Sequence, residues 1–188
     1  VADEKAPDWL VGESLIPAIV PILQRLGVEE RVAEMATLKP GVSFVHPKAE
    51  KDLDFTFDPV SGVLPTYAYN VPRPAFDGLL SDRAAELGVT KVRHRAKVVK
   101  AGDERLELTP DSLAAAPSFE GRQPDWLIDA SGRNRLFSRA LNLPSKEGAR
   151  RDIAYFAHLE GCHHPKAVGQ VIITRLEHGW SWRIPLPD

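Results

Sequence analysis

The chain has 188 residues, 43% of them apolar and 27% charged, with a formal net charge of −2. That is enough chain to bury a sizeable core, and the near-neutral balance gives no electrostatic reason to expect nucleic acid or a membrane surface as partner. The lone Cys162 cannot close an internal disulfide and no Cys-x-x-Cys pair exists to hold zinc, so a reducing cytoplasm is the simplest compartment.

No apolar run is long enough to span a bilayer, and the opening Val1-Ala-Asp-Glu-Lys lacks the apolar core of a signal peptide. Without an initiating methionine, the first residues read as the tail of a strand followed by a turn, as if an upstream segment were missing. The first strong element begins at Gly12-Glu13-Ser14, where Ser14 is expected to cap a helix carrying Leu15, Ile16, Ile19, Val20, Ile22, Leu23 and Leu26 at helical spacing. Pro21 should kink that helix or delay its regular part, and Gly27 should end it. Two short alternating runs, Val42 to His46 and Asp54 to Asp58, predict antiparallel neighbours, and the Pro and Gly cluster from Ser61 to Pro65 breaks the pattern. A second helix is predicted from about Pro74 to Leu87, stopped by Gly88.

From Lys91 to Lys100 the alternation of Val92, His94, Ala96 and Val98 with Lys91, Arg93, Arg95 and Lys97 predicts a half-buried strand whose basic stripe faces solvent. Thr109 to Pro124 reads as a surface excursion. Trp126-Leu127-Ile128 predicts a short buried strand entering the turn Asp129-Ala-Ser-Gly132, followed by a helix with Leu136, Phe137, Ala140 and Leu141. Asp152 to Pro185 predicts three strands separated by His163-His164-Pro165 and Glu177-His178-Gly179. The fold class is therefore α/β or α+β, with an antiparallel sheet beside part of a parallel, Rossmann-like layer.

The most distinctive stretch is Gly179-Trp180-Ser181-Trp182-Arg183-Ile184-Pro185. Strand residues two apart share a face, so Trp180 and Trp182 form one aromatic wall, either lining a site or filling a core. Trp180-Ser-Trp182-Arg-Ile184-Pro185 resembles the Trp-x-Trp-x-Ile-Pro fingerprint of flavin-dependent halogenases of the tryptophan type. These belong with the FAD-dependent monooxygenases and geranylgeranyl reductase-like oxidoreductases. Gly12-Glu13-Ser14-Leu-Ile-Pro17 resembles the segment that this family runs as a strap alongside the flavin. Tyr69-Asn-Val-Pro-Arg73-Pro-Ala-Phe76-Asp77 resembles the group's Arg-x-x-Phe-Asp helix start, and Asp125-Trp-Leu-Ile-Asp129-Ala-Ser-Gly132-Arg its second cofactor-side turn.

The resemblance implies FAD as cofactor, a small electron-rich aromatic substrate, and a separate flavin reductase supplying reduced flavin. It implies that Gly12, Glu13, Ser14, Arg73, Asp129 and Gly132 lie toward the cofactor, and that Trp180 and Trp182 lie toward the substrate. Lys39, in Thr37-Leu38-Lys39-Pro40-Gly41, takes the place of the lysine that positions or captures hypohalous acid, which requires a buried amine. From the residues alone, a lysine before proline reads as exposed at a strand entrance, Gly12-Glu13-Ser14 as an ordinary helix cap, and Asp129 with Gly132 as a tight turn. Arg73 at a helix start opposes the helix dipole, which points to an anionic or ribityl partner. No metal site is expected, because Cys162, His163 and His164 lack the ligand spacing of a closed site.

The implied organisation is a fragment of a two-domain flavoprotein. Residues 1–40 form strap and helix adjoining the flavin, 41–70 with 150–188 an antiparallel substrate-binding sheet, and 71–149 part of the FAD-binding domain. A Gly-x-Gly-x-x-Gly turn is expected upstream, with Asp3 or Glu4 as its ribose-binding acid. A hydroxylating monooxygenase or reductase of the same fold, and a non-catalytic substrate-binding fragment, are the alternatives.

Overall fold

The computed structural model describes residues 10–58, 64–102 and 105–187. Asp3, Glu4 and the start of the Pro and Gly break at Ser61 lie outside them. The chain divides into two compact units, one spanning Val89–Tyr155, the other formed from the segments on either side of it.

The larger unit opens on an extended segment, not on the helix expected from Ser14. Glu13 O accepts from Val71 N at 2.8 Å and Leu15 N donates to Tyr69 O at 2.9 Å, so Ser14 lies in an antiparallel bridge opposite Asn70. The reason is Pro17. The residue before a proline is pushed out of the helical region, and Ile16 is extended at φ −118°, ψ 157°. A 3-10 turn over Pro17–Ile19 then leads into helix α1, Val20–Leu26, with Pro21 in its first turn as the delayed start requires. Gly27 ends α1 in the left-handed conformation at φ 67°.

Helix α2, Glu29–Met35, follows, then strand β1, Thr37–Lys39, paired antiparallel with β4, Ala68–Asn70. Helix α3, Arg73–Glu86, matches the predicted second helix and stops before Gly88, which has φ 90°. The core lies among these elements, where Val20, Leu23, Val28, Val32, Tyr69, Val71, Phe76 and Leu79 pack together.

Strands β2, Gly41–Val45, and β3, Leu53–Thr56, pair antiparallel as predicted. They join β7, Val171–Leu176, and β8, Gly179–Arg183, in a four-stranded sheet of order β3-β2-β7-β8. The sheet is mixed, because β2 and β7 run parallel while the outer pairs run antiparallel. Among the described residues two strands form after Asp152. Residues 152–165 are not in strands, and Ile153 and Tyr155 are exposed.

In the Val89–Tyr155 unit the predicted long strand shrinks to β5, Val98–Lys100, paired with β6, Leu106–Leu108. Alternation supplied a two-faced segment but not a partner. The ladder is cut short at Thr109-Pro110, where Thr109 caps helix α4, Pro110–Ala114, and Ser112 Oγ accepts from Lys97 N at 2.8 Å. The supposed surface excursion therefore contains a helix. Trp126-Leu127-Ile128 does not form a strand, and Trp126 and Ile128 are 86% and 90% exposed. Beyond it come a 3-10 turn, Gly132–Asn134, and helix α5, Leu136–Ala140, the latter as predicted. Helix α3 lies in the same compact unit as the strap and the four-stranded sheet.

Two backbone approaches are unusually tight, at Gly41 and at Gly169. A Cβ at Gly169, at φ +78°, would collide with the carbonyl of Leu38 in β1. Gly169→Ala should therefore destabilise the protein by about 2 kcal/mol or more, visible as a lowered melting temperature. A melting curve unchanged from the parent would contradict that packing.

Candidate functional site

Strand β4 is the axis of the site, with β1 on one side and the extended strap segment Glu13 to Leu15 on the other. Its residues alternate between two faces. Tyr69, and Tyr67 just before the strand, point toward α2, where their hydroxyls donate to Glu29 Oε1 at 3.2 and 2.6 Å and their rings meet edge to face at 5.6 Å. Burial pushes the Glu29 carboxyl up, but hydrogen bonds from Tyr67, Gln24 and Tyr69 outweigh it and leave it lowered. The Tyr69 hydroxyl is held well above its usual range by burial and by the charge of Glu29.

On the opposite face lie Lys39, Ala68, Asn70, Thr37 and Ser14, since directly opposed residues share a face. Lys39 is 4% exposed, which overturns the reading of it as a solvated lysine at a strand entrance. Its Nζ donates to Leu15 O at 2.8 Å, so the side chain reaches from β1 to the strap past Ala68, its cross-strand neighbour, whose methyl group leaves room for it. The Phe57 ring centroid is 5.4 Å from Nζ. Burial alone lowers the Lys39 pKa to about 8.

The strap residues are held by their own surroundings. Glu13 is buried; its Oε2 accepts from Gly12 N at 2.8 Å and its Oε1 lies 3.4 Å from His158 Nε2. Gly12 has φ 101°, and a Cβ there would meet the Arg73 guanidinium at 2.6 Å. Arg73 donates to Val11 O at 2.7 Å and makes a bidentate pair with Asp77 one helical turn on, at 3.0 and 2.9 Å. Asp77 therefore relieves the unfavourable cation at the start of α3 without an external anion. Ser14, flanked by residues whose peptide groups bond to β4, turns its own peptide N–H and C=O outward. Val11 and Ile16 beside it are exposed.

Asp129 and Gly132 lie in the other unit. Asp129 accepts from Ser131 N and Phe137 N, both at 2.9 Å, and its carboxyl is held below the usual range first by the Ser131 side chain, then by the backbone N–H groups of Phe137 and Ser131. Its carboxylate thus builds its own turn. Gly132 sits in the same turn at φ 59°. Among the described residues no group of three or more His, Cys, Asp and Glu is arranged to hold a metal, and no helix is long and apolar enough to cross a membrane.

Trp180 and Trp182 share one face of edge strand β8, edge to face at 5.7 Å, and are 43% and 53% exposed. They fill no core among the described residues. Trp182 continues a row across the sheet with Ile173, Phe44 and Leu53, and the last three of these line an open cleft of about 370 Å³.

The profile of the tryptophan halogenase family matches residues 60–188. The chain belongs to that family. It is 31% identical over 200 residues to the flavin-dependent halogenase armH3 of Armillaria mellea, covering 96% of this chain and 38% of that protein. It is 30% identical over 199 residues to the tryptophan 2-halogenase of Chondromyces crocatus, covering 98% of this chain and 36% of that one. The chain thus spans somewhat over a third of the length of these curated relatives. Among solved structures, the flavin-dependent halogenase CmlS superposes with a TM-score of 0.67 at 27% identity, over 100% of this chain and 34% of that one. The mixed α/β architecture is therefore the halogenase fold, over the part that this chain contains.

Sequence reasoning missed Ala68, Asn70 and Phe57. Their importance comes from strand register, and no short motif encodes it. The buried amine has a thermodynamic signature. Between pH 8 and 10.5 the unfolded chain binds more protons at Lys39 than the folded one, so this residue's contribution to stability rises with pH there. Relative to Lys39→Met, the parent should gain about 3 kcal/mol across that window. Denaturant titrations of both proteins at pH 7.5 and 10.5 measure it, and parallel pH profiles would contradict the burial.

Proposed function

We propose that the chain provides the strap and the substrate-side sheet of a flavin-dependent halogenase acting with reduced FAD, O2 and halide on an electron-rich aromatic substrate, with a separate flavin reductase and a cytoplasmic setting. The observation that carries this reading is the buried Lys39 amine, hydrogen-bonded to the strap it would have to face. Flavin-dependent halogenase is the name of one matched relative and tryptophan 2-halogenase that of another.

The residues present fit a flat, largely apolar ring system beside the strap. The outward peptide groups of Ser14 offer a donor and an acceptor between exposed Val11 and Ile16, while Glu13 and Arg73 serve to hold that edge in place. Asp129 fits a turn-forming role better than a ligand-binding one, because its oxygens already accept from two backbone N–H groups. Bound reduced FAD supplies, with O2 and halide, the oxidising equivalent in the form of hypohalous acid.

Lys39 then acts on that acid. As the ammonium it donates a hydrogen bond that fixes the oxygen and leaves the halogen directed at the ring; as the neutral amine it takes up the halogen and releases water. With a pKa of about 8, both forms are accessible near neutral pH. The apolar row from Trp182 to Leu53 provides a wall on which an aromatic ring can lie.

In the protein as naturally expressed, supplied with a flavin reductase and halide, Lys39→Ala should abolish halogenated product while reduced flavin is still oxidised by O2. Halogenation that persists in the variant would remove Lys39 from the mechanism, and an oxygenated product formed independently of halide would show a hydroxylase instead. Mass spectrometry of products from candidate aromatics distinguishes these outcomes.

A further inference from the structure

Asn70 is fully buried at the centre of the Lys39 face, and its two amide atoms have unequal fates. Nδ2 donates to Gly169 O at 3.0 Å, which fixes the orientation of the carboxamide, whereas Oδ1 is buried without a hydrogen-bond partner. A buried acceptor left unpaired is unfavourable enough to require an explanation.

The strand register supplies a candidate donor. Asn70 lies opposite Thr37, and two residues along β4 Ala68 lies opposite Lys39, so Asn70 and Lys39 are diagonal neighbours on one face. Gly169 packs against Thr37 and Leu38 of β1, and with Nδ2 turned to Gly169, Oδ1 is turned from it. The Lys39 ammonium carries three N–H donors, and one of them is engaged, with Leu15 O. A lysine stem is long enough to move its head group between acceptors on neighbouring positions of the same face.

We propose that Asn70 is a positioning residue for Lys39, its unpaired carbonyl oxygen being the second acceptor of the amine, taken up when Nζ leaves the Leu15 carbonyl. The lysine then has two resting points, one on the strap and one on β4, and exchange between them moves the amine relative to the strap without exposing it to water. This rests on the reading of Lys39 as the reactive amine, and it adds the group that aims it.

The other ionisable groups around the site are already engaged. Glu13 on the strap faces His158, and Asp54 on β3 is bonded to Ser43 and Lys166. Glu29, Tyr67 and Tyr69 lie on the far face of β4. The titration of Lys39 is therefore a direct reporter of what Asn70 presents to it.

The test uses the protein as naturally expressed, with 13C-labelled lysine and the Lys39 resonance assigned through Lys39→Arg. The NMR titration midpoint of that resonance is read in the parent, Asn70→Asp and Asn70→Ala. Both variants lose the bond to Gly169, but only the aspartate keeps an acceptor. The midpoint should rise by about one pH unit or more in Asn70→Asp, where a carboxylate favours the ammonium, and fall in Asn70→Ala, where the acceptor is gone. Shifts in the same direction, or no shift in Asn70→Ala, would overturn the proposal and leave Asn70 as a tether for Gly169. If Asn70→Asp does not fold, Asn70→Ser takes its place, and its midpoint must lie above that of Asn70→Ala. This readout does not depend on turnover, so it stands or falls separately from the halogenation of any substrate.

Discussion

A positive charge drawn across a strand holds the site together. Lys39 leaves β1, passes Ala68 and reaches the carbonyl of Leu15, and so links three extended segments whose backbones are already aligned. A purely stabilising role would be better served by an apolar side chain, because taking an ammonium out of water is unfavourable and one neutral carbonyl compensates it only partly. That opposition is visible in the lowered pKa of the amine. The apolar packing of α1, α2 and α3 against Tyr69 and Val71 offsets the penalty. The core is thus partly spent on keeping an amine in an environment it would not choose.

Strand β4 separates two kinds of chemistry by the simple alternation of its side chains. Tyr67 and Tyr69 on one face clamp Glu29 at the first turn of α2, where a carboxylate is also favoured by the helix dipole. Ala68 and Asn70 on the other face border the lysine. A one-residue slip of this strand would exchange the two sets, placing tyrosines over the amine and the carboxamide in the core. The close approach of Gly169 to Leu38 and the bond from Asn70 to its carbonyl both oppose that slip.

Local punctuation was legible in the sequence wherever a single residue dictates backbone conformation. Gly27 ends α1, Pro21 delays it, Gly88 follows α3, and the β2–β3 pairing followed from two alternating runs. Ser14 was misread as a cap because its residue type suits one, while Pro17 three positions on imposes an extended Ile16 that excludes it. Segments 91–97, 126–128 and 152–165 show the opposite failure. Each has the composition of a strand, but a strand exists only with a neighbour to bond to, and composition does not say which segment that neighbour is. The burial of Lys39 was readable only through family resemblance. Residue type favours a solvated lysine, and what buries this one is a long-range register between residues 39, 68 and 15.

The two indoles on β8 carry a consequence of another kind. Edge-to-face rings with centroids 5.7 Å apart couple their electronic transitions, so Trp180 and Trp182 act as one chiral chromophore in the ultraviolet. Their coupled circular-dichroism band depends on the angle between the rings, 84° here, and therefore on whatever is laid against that face. The sheet thus contains its own optical reporter of any change in the angle between these two rings, and no label has to be introduced to read it.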